Sequence, residues 1–276
     1  MTKHALLPAF IPTDRGNLFA LLHVPDQHIG CVLFVPPFAE EMNKSRRQIT
    51  QTAQALAAAG YASLVVDLSC TGDSDGEFNG ASWNEWQRDI ASAMRWAATE
   101  GFQVTALIAT RLGCVLAAAT LRRFDFTVQK SIFWQPIASG SRSMTQFLRL
   151  RVASSMMADD AQETVASLKK RLAAGELLEV AGYELSSQLF NEVEVVKLTV
   201  DAFRNLGELS VLEVSRIPGA DVSAAGRKIL DNAKTAGNAS FGQRVEGDPF
   251  WSSTEIVTSA ELTRLSTDFI ARSLST

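Results

Sequence analysis

Between Val104 and Leu121 the chain runs eighteen residues with a single charge, Arg111, near the middle. No other stretch restricts the fold as much. A charge at the centre of a bilayer costs at least ~2.5–3.5 kcal/mol, which argues against a membrane span. A buried strand over Val104–Ala109 that passes almost without a loop into a buried helix over Leu112–Arg122 accounts for the same residues without that cost. Arg111 then stands at the tip of the turn, with Ala109 and Gly113 two positions to either side. Small residues there let neighbouring backbone come close around a tight turn.

The rest of the chain repeats this alternation of apolar strand and amphipathic helix. Strands are predicted at Asn17–Val24, Cys31–Val35, Tyr61–Leu68, Val128–Gln135, Leu209–Val214 and Phe241–Glu246. Capping boxes at Ser45-x-x-Gln48, Ser82-x-x-Glu85 and Thr258-x-x-Glu261 open three helices, and Ala224–Ala236 reads as a further one. Residues 139–205 are helical in pattern apart from an interruption near Glu179–Gly182. Strand–helix alternation calls for a mostly parallel sheet of seven or eight strands with helices on both faces. The helical segment is then an insertion covering the C-terminal edge of the sheet, where open α/β sheets bind ligands. At 276 residues, 46% of them hydrophobic and 20% charged, residues 1–276 suit one domain with 139–205 as its helical cap.

Several function classes drop out on composition. The formal net charge is −4 and no run of Lys or Arg is long enough to follow a phosphate backbone, which excludes nucleic acid as a partner. Cys31, Cys70 and Cys114 are scattered, with no CxxC pair and no histidine at ligand spacing, so neither a disulfide framework, a metal nor another cofactor is expected. The start, MTKHALLPAF, has no apolar core of a signal peptide, and a cytoplasmic protein with reduced thiols is the expectation.

A strand turning directly into a helix between small residues is the nucleophile elbow of the α/β-hydrolase fold. The usual tip is serine. Here it is Arg111, which stays protonated and has no nucleophilic role at neutral pH. The triad order on this fold is nucleophile, acid, histidine, yet His4, His23 and His28 all precede the elbow. Where the histidine loop falls, the chain reads Glu246-Gly247-Asp248-Pro249-Phe250-Trp251. A Ser-His-Asp mechanism in its usual arrangement is therefore excluded by inventory. Cys114, nearly a turn into the helix, reads as core, and Ser74 in a Gly/Asp-rich loop reads as turn chemistry.

The remaining chemistry lies in Pro36–Asn43, where hydrolases place their oxyanion loop. Glu40, Glu41 and Asp248 are the candidate catalytic acids and bases, and Arg111, Phe38, Leu112 and Trp251 the candidate ligand-binding residues. A second role stands beside the first for the glutamates: Glu40 or Glu41 pairs with Arg111, Arg46 or Arg47, or caps the following helix. A desolvated guanidinium at a helix N-terminus needs an acidic partner, either Glu40, Glu41 or Asp248 or a bound anion. Trp83 and Trp86 lie at helical spacing and read as core, whereas Phe250 and Trp251 follow a Gly-Asp-Pro turn and suit either core or pocket.

With these segments placed, the chain resembles a bacterial family, the exosortase A system-associated hydrolases of the second type, over roughly residues 29–270. The segments that carry the resemblance are PPFAEEMNKSRR at 36–47, DLSCTGDSDGEF at 67–78, ATRLG at 109–113, WQPIASG at 134–140, QFLRLRVA at 146–153 and GDPFW at 247–251. The resemblance implies the α/β-hydrolase fold, a setting in exopolysaccharide and exosortase protein-sorting clusters, and an arginine at the elbow as typical. Ala109 departs from the glycine expected there. Fold does not imply function, and three readings stand. The first is a hydrolase or acyl-transfer enzyme for an ester, thioester or polysaccharide-linked acyl group. The second is a non-catalytic module that uses Arg111 to hold an anionic small molecule, and the third is a structural partner.

Overall fold

The computed structural model describes residues 4–157 and 163–273. Among the described residues there are ten strands and eight α-helices, and those of the core from β2 onward follow the alternation read from the sequence. In chain order the main sheet takes β1 (His4–Thr13), β2 (Gly16–Pro25), β3 (Cys31–Val35), β4 (Ala62–Val66), β5 (Val104–Thr110), β6 (Lys130–Trp134), β9 (Glu208–Ser215) and β10 (Ser240–Glu246). Their spatial order is β1-β2-β4-β3-β5-β6-β9-β10. The β1–β2 and β2–β4 pairs are antiparallel and all pairs from β4 to β10 are parallel. This is the expected mostly parallel sheet, at the upper end of the expected strand number.

Every residue of β3 is buried, as a strand covered on both faces requires. Because side chains alternate, Val32 and Phe34 join one core and Leu33 and Val35 the other. The first core is closed by α1 (Glu40–Ala58) and α8 (Ala260–Ala271), through Ile49, Leu56, Leu262 and Phe269. The second is closed by α2 (Trp83–Thr99), α3 (Gly113–Phe124) and α7 (Ala224–Thr235), through Trp86, Ile90, Leu116 and Ile229. Each such side chain, fully buried, contributes roughly 1.5–3 kcal/mol of transfer free energy.

Residues 139–205 carry α4 (Gly140–Met157), α5 (Val165–Ala173), a small hairpin of β7 (Leu178–Val180) and β8 (Tyr183–Leu185), and α6 (Ser187–Glu194). The segment leaves and rejoins the core at one stem, where Gly140 N donates to Val196 O and Leu198 N to Ala138 O. The interruption read near Glu179–Gly182 is the hairpin turn. Ala181 and Gly182 both have positive φ, 51° and 83°, as a two-residue turn with the twist of its strands demands. The apolar stretch at 104–121 divides into β5 and α3, and no helix among the described residues is long and apolar enough to cross a membrane.

Four local expectations need correction. Ser82 precedes α2 but its side chain makes no cap hydrogen bond, so the expected Ser82-x-x-Glu85 box is not formed. α1 starts at Glu40, five residues before Ser45, whose hydroxyl donates backwards to Glu41 O instead of capping. The true first turn holds Glu40 and Glu41, carboxylates favoured at a helix N-terminus. α8 is capped by Ser259, which accepts from Leu262 N, and not by Thr258. The sequence pattern predicts no strand at β1, because Pro8 and Pro12 break its alternation. Phe19 O accepts from Asp67 N, so Phe19 turns its backbone towards the β4 side and its partner Phe10 turns outward. Pro8 and Pro12 share the parity of Phe10, and their missing N–H groups therefore fall on the open edge of the sheet, where none is needed.

Candidate functional site

Among the described residues, six non-glycine residues have positive φ, and four of them follow central strands: Ala39 (50°) after β3, Cys70 (65°) after β4, Arg111 (57°) after β5 and Gln135 (44°) after β6. Such backbone costs on the order of 1–3 kcal/mol per residue and persists where its surroundings over-determine it. The strain is concentrated along the C-terminal edge of the sheet. At its centre the β5–α3 turn is so tight that a Cβ on Gly113 would lie 2.4 Å from Pro36 O. Arg111 N donates to Trp134 O, and Ile137 N donates to Arg111 O, which ties the tip to the β6 end.

The elbow directs the Arg111 side chain into a cavity of about 340 Å³ lined by Glu40, Glu41, Phe38, Gln146, Phe147 and Trp251, among others. Arg111 is 8% exposed. Its Nε and Nη2 donate to Glu41 Oε1 at 3.0 and 2.9 Å, and Nη2 also donates to Gln146 Oε1 at 2.8 Å. The guanidinium carbon lies 5.1 Å from the Trp251 ring centroid, a cation–π contact. One edge of the guanidinium is thus locked. Among the described residues nothing accepts from the Nη1 amino group, which opens onto the cavity. Glu41 belongs to the first turn of α1, so the dipole that disfavours Arg111 at the head of α3 favours its partner at the head of α1.

Glu40 lies on the same cavity. Its Oε2 is buried without a hydrogen-bond partner, as is Oε2 of Glu41. Burial, and then the charge of Glu41, push the Glu40 carboxyl up to about 7. Burial also raises Glu41, against the pull of the Arg111 charge. The cavity therefore combines an anchored cation that offers a free donor with a carboxyl poised near neutral pH, the pairing that general acid–base chemistry uses.

The structure does not bring every candidate here. Asp248 pairs with Arg216 through its Oδ1 on the protein surface, the two side chains 49% and 70% exposed, and does not line the cavity. These two residues come from the loops after β10 and β9, where a hydrolase of this fold keeps its histidine and its acid. Leu112 lines a separate apolar slot beside the elbow. Phe38 borders both compartments. Phe250 is core at 1% exposure, while Trp251 reaches the cavity. Arg46 pairs with Asp67 and not with a glutamate. Cys114 is fully buried, its thiol donating to Ala109 O and pushed up by burial, which leaves it inert. Ser74 holds the loop, donating to Asp67 O and accepting from Phe19 N.

Gln146 and Phe147 are not among the candidate site residues of the sequence; the signals for them are the segment at 146–153 that carries the family resemblance and a glutamine beside a buried stripe in α4. The histidines lie elsewhere, His4 and His23 stacked on β1 and β2 with centroids 5.6 Å apart.

The chain is similar to known hydrolases. The sequence model of the X-Pro dipeptidyl-peptidase (S15) family matches residues 17–145, under half of the chain. No curated protein matches the sequence. Est1E from Butyrivibrio proteoclasticus, solved with ferulic acid bound, superposes with a TM-score of 0.70 at 16% identity, over 95% of this chain and 97% of that one. The esterase domain of a Rhodothermus marinus protein gives 0.63 at 18% identity, over 98% and 100%. A predicted CIB-like hydrolase from Thermoplasma acidophilum gives 0.57 at 13%, over 98% and 99%. At these identities the likeness shows the fold: this is an α/β-hydrolase fold.

Proposed function

On that hydrolase fold, we propose that the chain hydrolyses an ester, thioester or related acyl group without a serine nucleophile, using water activated by Glu40. The observation that carries the reading is Glu40 Oε2, buried without a hydrogen-bond partner on the cavity that also receives Arg111, the arginine at the tip whose Nη1 has no acceptor among the described residues. Glu40 takes a proton from water as the water oxygen attacks the acyl carbon. Arg111 Nη1 donates to the oxyanion that forms, a role that a positioned cation fills well in a water-poor site. Collapse breaks the bond to the leaving alcohol or thiol, which takes the proton back from Glu40. Glu41 and Gln146 hold the guanidinium, Phe38 and Trp251 supply the apolar walls, and residues 139–205 act as the cap of a single domain.

The resemblance at 36–47, 109–113 and 247–251 supports a finer assignment, to the exosortase A system-associated hydrolases in a bacterial cytoplasm, with an acyl group on an exopolysaccharide-related molecule as substrate. Arg111 as a clamp for an anion is the weaker reading, because Glu41 already neutralises it and Glu40 stands beside it.

The test is turnover of p-nitrophenyl acyl esters and of acyl thioesters across pH. Because the base must be ionised, the rate should rise through about pH 7 and level off above it. Glu40→Gln should lower kcat on the order of 100-fold or more, and fluorophosphonates should label no serine. Absence of turnover on both substrate types, or an unchanged rate in Glu40→Gln, sinks the proposal.

A further inference from the structure

One ring separates the cavity at Arg111 from a second compartment. Phe38, 5% exposed, lines the 340 Å³ cavity on one side and an apolar slot of about 20 Å³ on the other. The slot lies against the elbow itself, between Met42, Leu68, Trp86, Leu112 and Leu116, and has room for about one water. The Phe38 ring is wedged edge-on against Phe78, Trp86 and Phe147, with centroids 5.9, 5.9 and 5.1 Å away. Its backbone is anchored by the strained Ala39 that follows it.

The two compartments differ in chemistry. Ser143, Gln146 and Ser252 give the larger one polar walls, whereas the slot is apolar apart from Thr71. An ester held with its carbonyl at Arg111 has two ends to place. The oxygen-rich alcohol suits the large polar cavity and the alkyl end suits the apolar side, where Phe38 stops it. We infer that Phe38 sets the acyl-chain limit: the chain takes esters of short acyl groups, acetyl to butyryl, on a larger polar alcohol, and the slot behind the ring is a latent acyl site. The inference rests on the hydrolase reading above.

Two measurements on the wild type, Phe38→Ala and Phe38→Leu keep the inference and that reading apart. One is kcat/KM for p-nitrophenyl esters of two to ten acyl carbons. The other is calorimetric binding of unreactive, uncharged 2-alkanones of four to twelve carbons, which needs no turnover. The wild type should favour the shortest esters. Phe38→Ala should move the optimum out by two or more carbons, with alkanone affinity rising roughly fourfold for each methylene that enters the slot. Phe38→Leu should move it less, and it carries the test alone if the alanine variant does not unfold cooperatively. Leu116→Phe added to Phe38→Ala should refill the slot and reverse the gain. A shifted alkanone profile without any ester turnover upholds the slot and overturns the hydrolase reading. Turnover that depends on Glu40, with chain-length profiles unchanged in folded Phe38 variants, overturns the inference alone.

Discussion

Two ion pairs occupy positions where a hydrolase of this fold keeps catalytic groups, and they differ in almost everything but charge. Arg111 and Glu41 have side chains 10% and 14% exposed, share an oxygen between two donors, and are flanked by Gln146 and Trp251. Arg216 and Asp248 are 70% and 49% exposed. An exposed pair contributes about 0–1 kcal/mol, because water screens the attraction and ordering two long side chains costs entropy. Removing one member of a buried pair costs about 3–5 kcal/mol, because it leaves a charge in a place that cannot solvate it. The elbow is therefore committed to its unusual residue, while the acid and histidine loops hold a pair the fold hardly depends on.

The largest effect should come from Glu41. Glu41→Ala strands Arg111 and should cost about 3–5 kcal/mol, lowering Tm by roughly 5–9 °C in a chain of this size. A loss of only a degree or two in calorimetry would erase the distinction between the two pairs.

A smaller effect, with a pH signature, should come from Glu40. Its unfolded carboxyl ionises near 4.5 and its folded one near about 7, so the unfolded state releases its proton first as pH rises. Stability should therefore decline across that window, by roughly 1–2 kcal/mol once solvent screening is allowed for. Glu40→Gln should reduce that decline, leaving the part due to Glu41, and be the more stable protein at pH 8. Denaturant titrations at pH 5 and 8 check this, and a Glu40→Gln protein with the wild-type slope would assign the pH dependence to another group.

The smallest effect is expected at the surface pair. Asp248→Ala and Arg216→Ala should each change stability by less than about 1 kcal/mol, and less still at high salt. A larger loss would mean that the two loops are coupled through this contact.

The legible parts of the molecule are those written in local pattern. The continuous apolar runs of β3 and β5 and the small residues around Arg111 locate the sheet and its elbow, because burial on both faces and a tight turn each restrict residue type. The need of a desolvated guanidinium for a carboxylate narrows its partner to a few residues, of which Glu41 takes the role. Less legible is whatever depends on a distant segment. Gln146 reaches the tip from α4, and Arg216 meets Asp248 only once β9 and β10 lie side by side. The start of α1 escapes pattern reading because Ala39, with no side-chain oxygen, stands where a capping residue is sought.

Ser82 shows a further dependence between distant segments. It stands at the head of α2, yet its hydroxyl donates to Glu192 Oε2 at 2.9 Å and leaves the cap to that carboxylate, which accepts from Trp83 N at 2.7 Å. Glu192 belongs to α6, within residues 139–205. One of the main helices of the core thus borrows its N-terminal partner from the inserted segment. Exchanging that segment for the corresponding one of another protein of this fold would uncap α2 as well as reshape the pocket. A graft meant to change specificity should therefore carry an acidic residue at the position of Glu192, or restore the local cap by freeing Ser82 to bond the helix it precedes.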